Sequence, residues 1–172
     1  IFNQIKAENP NKTLVFDCGD TIHGTYVAVK TKGEALIPIL NYLDFDAMTA
    51  HWEFAYGPQH FKNLTKKLNY PMLAINCYQE SNNDLFFKPW IIKEIGKLKI
   101  GVIGIAATIV DKVMPSSFSK GLYFTLGNEE LPYYIKKLRN EEKVDLIVVI
   151  SHLGFPQEMK LANEVDGIDV LL

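Results

Sequence analysis

Val144-Asp145-Leu146-Ile147-Val148-Val149-Ile150-Ser151-His152 is the stretch on which the fold turns. It is a short run of branched apolar residues, the composition favoured in strands, and it ends on an imidazole. Similar runs lie at Thr13 to Asp17, Ala47 to Ala50, Met72 to Asn76, Ile100 to Ile105 and Ile168 to Leu172. Between them, apolar residues recur at helical spacing: Ala35, Leu36, Ile39, Leu40 and Leu43, then Phe61, Leu64 and Leu68, then Leu131, Ile135 and Leu138. Alternating β and α elements predict a layered α/β fold. Trp90 to Ile95 and the run from Ile100, joined through Gly96-Lys97, read as a hairpin, so the sheet is expected to be mixed. Gln79 to Asp84 and Val110 to Gly121 carry the turn residues of exposed loops, and neither reads as a domain linker.

Four of these apolar runs end in a metal ligand or proton carrier: Asp17 to Asp20, His51, Asn76 and His152. Strand carboxyl ends are where open α/β sheets place their sites, and a rigid strand can aim an imidazole or carboxylate into a shared cleft. Asp20, His51 and His152 could therefore converge from distant positions. Oxygen and imidazole ligands suit divalent manganese, iron or zinc, and no paired-cysteine motif points to a thiolate zinc site. The reaction class this implies is hydrolysis at a metal centre. Two ions ~3.5–4 Å apart, bridged by an aspartate, would hold the attacking and leaving oxygens in line. Taken singly, a histidine at a strand end is more often a hydrogen-bonded structural residue, and Asp17 before Gly19 is ordinary turn chemistry.

Composition narrows the function classes. With 172 residues, 48% hydrophobic and 22% charged, the chain can build one compact core. A net charge of -2, from 18 basic and 20 acidic residues, gives no electrostatic reason to expect duplex nucleic acid or an anionic membrane as partner. The apolar runs are far shorter than the ~20 residues that span a bilayer, so no transmembrane helix is expected. Ile1 is not an initiator methionine and no apolar signal core follows it, so the sequence is expected to begin within a longer product or after a removed segment. Cys18 and Cys77 have no short-spaced partner; they read as two buried thiols, with pairing left open for an exported protein. No repeat or low-complexity tract occurs.

Phe16-Asp17-Cys18-Gly19-Asp20, followed by Gly24-Thr25, resembles the Gly-Asp block of the calcineurin-like metallophosphoesterase superfamily and its 5′-nucleotidase branch. Asp46-Ala47-Met48-Thr49-Ala50-His51-Trp52-Glu53-Phe54-Ala55-Tyr56-Gly57 resembles the second block of that branch, and Ser151-His152-Leu153-Gly154 the third. The resemblance implies that Asp20 bridges two metals and that His152 binds the second. His51 falls where an asparagine ligand is usual, and imidazole can take that place. Trp52 stands where the phosphoesterases carry a histidine that serves the scissile phosphate or the leaving group, and indole cannot shuttle a proton near neutral pH. The His51-Trp52-Glu53-Phe54 wording, with Asp20-Thr21, instead resembles the bacterial thiosulfohydrolase branch. Glu53 is expected to support the site through a hydrogen bond or to be a solvated loop carboxylate. His23 sits where related enzymes often have glutamine and could approach metal or substrate, or replace the missing proton donor. His60 is expected on the surface.

The expectation is thus one partial metallophosphoesterase catalytic domain over residues 1–172, incomplete at both ends, because a complete one adds an Asp-x-His block before Thr13 and a Gly-His-x-His block after Leu172. An uncovered sheet edge at Thr13 to Asp17 would then invite self-association. The implied function of the parent protein is metal-dependent hydrolysis of phosphate esters, with a small phosphorylated substrate such as a nucleotide. A thiosulfohydrolase-like enzyme of sulfur oxidation and a catalytically degenerate binding module are the alternatives. Periplasmic or extracellular placement follows from the resemblance alone.

Overall fold

The computed structural model describes residues 1–172. In chain order the elements are α1 (Phe2–Glu8), β1 (Phe16–Asp17), α2 (Tyr26–Lys30), α3 (Ile37–Leu43), β2 (Ala47–Met48), α4 (Pro58–Thr65), β3 (Cys77–Gln79), β4 (Trp90–Ile95), β5 (Leu98–Ile105), β6 (Leu122–Phe124), α5 (Glu130–Asn140), β7 (Leu146–Ser151), α6 (Phe155–Glu164) and β8 (Val170–Leu171). The principal sheet has the order β4-β5-β7-β8, with β4 antiparallel to β5 and the other pairs parallel. The mixed α/β layering expected from the sequence is what forms. Gly96 and Lys97 close the β4–β5 hairpin, with Gly96 at φ +60 and Ile95 paired to Leu98. A two-residue loop needs that positive φ to match the twist of the strands it joins.

The unbroken apolar character of β5 and β7 has a direct cause, since both faces are covered. Ile103, Ile105, Ile147 and Val149 pack with Leu131, Ile135 and Leu138 of α5 and with Leu161 of α6. Ile100, Val102, Val148 and Ile150 point the other way, onto Ala47 and Leu73. Side chains two apart share a face, so one strand serves two cores. A third cluster gathers Phe54, Phe61, Leu64, Phe87 and Phe124 beneath α3 and α4.

β1 pairs in parallel with β2, and residues 72–76 tie this pair to the principal sheet. The Leu73 N–H donates to the Met48 carbonyl at 2.8 Å, Ala74 to Lys88 at 3.0 Å and Ile75 to Gly104 at 2.9 Å. The expected strand at 72–76 is extended chain that changes partners every residue or two, so no continuous ladder develops. α1, α2 and α6 carry no helical signal in the sequence because they bury so little: none of α1, Ala28 alone in α2, Leu161 alone in α6. Without an apolar stripe there is no periodicity to detect.

Asn76, a ligand candidate by its place at a strand end, is not one. It is fully buried, its amide donates to the carbonyls of Ala106 (2.9 Å) and Thr125 (3.0 Å), and its oxygen accepts the Ala106 N–H at 2.9 Å. All of that capacity is spent on holding loops together. Asn76→Ala strands three backbone groups and should destabilise the fold by about 3 kcal/mol in urea unfolding; a loss below about 1 kcal/mol would contradict this role. Cys18 and Cys77 are both free, half-buried and buried respectively. They pack in different clusters, and burial pushes the Cys77 thiol pKa far up. No helix is long and apolar enough to cross a membrane.

Candidate metal centre

The site is built where β1, β2 and β7 end on one edge. After β1, Asp17 turns the chain: its Oδ1 accepts the Gly19 N–H at 2.9 Å and the Thr21 hydroxyl at 2.7 Å. Gly19 has φ +94, and a Cβ there would stand 3.0 Å from the Thr49 carbonyl oxygen and the Ala50 Cα. Only glycine lets this loop lie against the segment that delivers His51. Asp20 follows with φ +64, a left-handed conformation that aspartate tolerates better than most residues.

Asp20, His51 and His152 come together, with one ligand atom of each within 4.8 Å of the others. The His51 and His152 rings stack at 4.4 Å with an interplanar angle of 18°. His152 Nδ1 lies 2.7 Å from the Cys18 carbonyl, which can only accept, so Nδ1 carries the proton and Nε2 keeps its lone pair. His51 Nδ1 is buried without a partner and lies 3.8 Å from Asp20 Oδ2, too far for a hydrogen bond. Two ligands each about 2.0–2.2 Å from a shared ion stand no more than about 4.4 Å apart, so that spacing admits one. Burial first, and then the neighbouring His152, hold the His51 pKa below its ordinary value, against the pull of Asp20. The neutral imidazole so favoured is the metal-binding form. An orphaned buried nitrogen, a tautomer locked for Nε2 ligation and a facing carboxylate fit a divalent transition metal.

Glu53 lies beneath, 0% exposed, which excludes a solvated loop carboxylate. Its Oε1 accepts the N–H groups of Thr21 (2.7 Å) and Ile22 (3.4 Å), and its Oε2 that of His51 (2.7 Å). One carboxylate thereby pins the Asp20 loop to the His51 loop. Burial pushes its pKa above the usual carboxylate range while the backbone N–H groups oppose that rise. Beside the cluster, an open cavity of about 320 Å³ is lined by Asp20, His23, Gly24 and Trp52. The His23 ring stacks on the Trp52 indole at 5.4 Å and 19°, with Phe118 edge-on to the indole at 6.1 Å.

No family model matches the chain. It is 30% identical to the probable 5′-nucleotidase of Treponema pallidum, over 98% of this chain and 28% of that protein. It superposes on the sulfate thiohydrolase SoxB of Thermus thermophilus with a TM-score of 0.93 and 29% identity, over 99% of this chain and 32% of that one. The fold of the calcineurin-like phosphoesterase YfkN of Bacillus subtilis matches with a TM-score of 0.84 at 22% identity, over 98% of this chain and 59% of that one. The chain belongs to the calcineurin-like metallophosphoesterase superfamily. It spans 28% to 32% of the first curated relatives it matches.

Of the residues singled out in this metallophosphoesterase sequence, Asp20, His51 and His152 meet, Glu53 underlies them and His23 lines the adjoining cavity. His60 stands apart, its Nε2 against the Lys32 carbonyl at 2.8 Å. Two contributors to the metallophosphoesterase site had no sequence signal. The Cys18 backbone carbonyl, which sets the His152 tautomer, is a main-chain atom that every residue type possesses. Phe118 lies in a serine-rich loop whose composition says only that the chain turns there.

Proposed function

We propose that this metallophosphoesterase chain supplies part of a two-metal centre that hydrolyses phosphate esters, in the manner of a 5′-nucleotidase, with a nucleotide or similar small phosphorylated molecule as substrate. The observation that carries the reading is the convergence of Asp20, His51 and His152 from three strand ends, with Nε2 of His152 kept free by the Cys18 carbonyl. These three side chains would hold divalent manganese, iron or zinc. Such ions lower the pKa of water and neutralise charge on a phosphoryl group. Glu53 acts as a positioning residue that sets the distance between Asp20 and His51, and His23 and Trp52 form the wall against which the substrate lies.

The test uses the complete natural polypeptide that carries these residues. Elemental analysis is expected to find manganese, iron or zinc, and phosphate release from nucleotides is expected to stop when a chelator removes it. His152→Ala should weaken metal binding by on the order of 100-fold or more, because loss of a mere supporting partner costs about 10–100-fold. Metal-free protein, or a His152→Ala protein that binds metal as tightly as the parent, would refute the reading.

A second reading, a thiosulfohydrolase-like enzyme, is favoured by Trp52 beside His51 and by the 0.93 superposition on SoxB. Sulfate release from sulfonated thiols, without phosphatase activity, would establish it in place of the first.

A further inference from the structure

We propose that Tyr70 is a positioning residue of the metal centre, joined through one enclosed water molecule to Asp17 and so to the turn that presents Asp20. The proposal rests on the metal-centre reading above and adds to it a support that approaches from the core.

Asp17 spends one of its two carboxylate oxygens on that turn. Oδ1 accepts the Gly19 N–H at 2.9 Å and the Thr21 hydroxyl at 2.7 Å, the residues on either side of Asp20. Oδ2 is buried and has no hydrogen-bond partner in the protein, and the Tyr70 hydroxyl is in the same condition. Both residues are nearly closed to solvent, Asp17 6% and Tyr70 5% exposed. Leaving a carboxylate oxygen and a phenol unpaired in the interior is costly, and native proteins satisfy nearly all such groups with protein atoms or ordered water.

The register of β1 and β2 puts the two on one side. Asp17 pairs with Met48, and paired residues on neighbouring strands point the same way. Met48 packs in one cluster with Tyr70, while Phe16 and Ala47 point to the opposite core. Thr49 Oγ1, also buried without a partner, alternates with Met48 and Ala50 of the Tyr70 cluster and so faces away from it. The Tyr70 ring is fixed by Phe45, edge-on at 5.5 Å and 71°. Burial first, and then the carboxylates of Asp17 and Glu53, push the Tyr70 pKa up, so the phenol keeps its proton. On this side of the strands, then, a donor lacks an acceptor and an acceptor lacks a donor.

The two oxygens do not meet in a direct hydrogen bond. A single water satisfies both, accepting the Tyr70 O–H and donating to Asp17 Oδ2. Both atoms are sealed by residues of this chain, so no further segment of the polypeptide can reach them without opening the core. Asp20 itself has φ +64, and Glu53 holds its loop through the Thr21 N–H. Fixing Oδ2 stops the Asp17 carboxylate from turning, which keeps the loop in the orientation that brings Asp20 to His51 and His152.

The experiment uses the complete natural polypeptide. Its high-resolution crystal structure should show one water within about 2.5–3.0 Å of both Tyr70 Oη and Asp17 Oδ2. Tyr70→Phe keeps the ring and removes only the hydroxyl, and should raise the dissociation constant for manganese about 10-fold, the lower end for loss of a supporting partner. A purely structural hydroxyl would lower the urea midpoint and leave manganese affinity within about 2-fold of the parent, and that result overturns the proposal. The route is tested in an Asp17→Asn background, where Tyr70→Phe should add less than about 2-fold; a further loss of about 10-fold there would show that Tyr70 acts elsewhere. If Asp17→Asn does not fold, the density and the single variant decide. Direct contact of the two oxygens, or apolar packing between them, overturns the enclosed water. Parent protein that binds no metal refutes the metal-centre reading and the positioning role with it, while the water is still judged by its density.

Discussion

Glu53→Ala is expected to lower the unfolding free energy by about 3–5 kcal/mol, since the N–H groups of Thr21, Ile22 and His51 each lose their acceptor. Against a typical total of about 5–15 kcal/mol, that is a large fraction of the stability of a domain. The same substitution releases the Asp20 loop from the His51 loop, so metal affinity should fall by on the order of 10–100-fold. Urea unfolding and a metal titration on one preparation read both effects. Glu53→Gln keeps the volume but turns an NH₂ group toward an N–H donor, and should lie between the alanine variant and the parent. A stable Glu53→Ala protein with unchanged metal affinity would show that the two loops are held by something else.

Gly104→Ala should be nearly as damaging for a different reason. A Cβ at Gly104 would stand 2.3 Å from the Leu73 carbonyl oxygen and 2.6 Å from its carbon. Those are backbone atoms of the segment tying β1 and β2 to the principal sheet, and they cannot swing aside. The expected cost is about 3–5 kcal/mol, at the upper end for overpacking. Gly101→Ala is the internal control: its Cβ would meet Leu138 Cδ1 at 2.9 Å, a side-chain terminus that can rotate, so about 1 kcal/mol is expected. Because Asp20 and His51 hang on one strand pair and His152 on β7, forcing the two apart at Gly104 should also weaken metal binding. Equal costs at the two glycines would deny that Leu73 is an immovable neighbour.

The residue types and spacing of the chain determined a good deal by themselves. The apolar rows of β5 and β7, the Gly96-Lys97 turn and the apolar stripes of α4 and α5 are local signals, each written into a dozen residues or fewer, whereas α3 buries Ile37 and Leu40 and leaves Ile39, part of the stripe read from the sequence, exposed. Strand ends carrying Asp20, His51 and His152 were legible for the same reason, because parallel strands place their carboxyl ends on one edge. What those patterns left undecided is which polar strand ends face the cleft. Asn76 and His152 occupy equivalent positions in the sequence pattern, yet Asn76 spends its amide on Ala106 and Thr125 while His152 keeps one nitrogen free. That division depends on backbone groups brought from 30 to 134 residues away, whose presence no side-chain pattern records. The burial of Glu53, the stacking of His23 on Trp52 and the crossing of Leu73 over Gly104 are likewise properties of packed surfaces. Sequence thus set the elements and the candidate ligands, whereas only close packing between distant segments decided which of them are free to act.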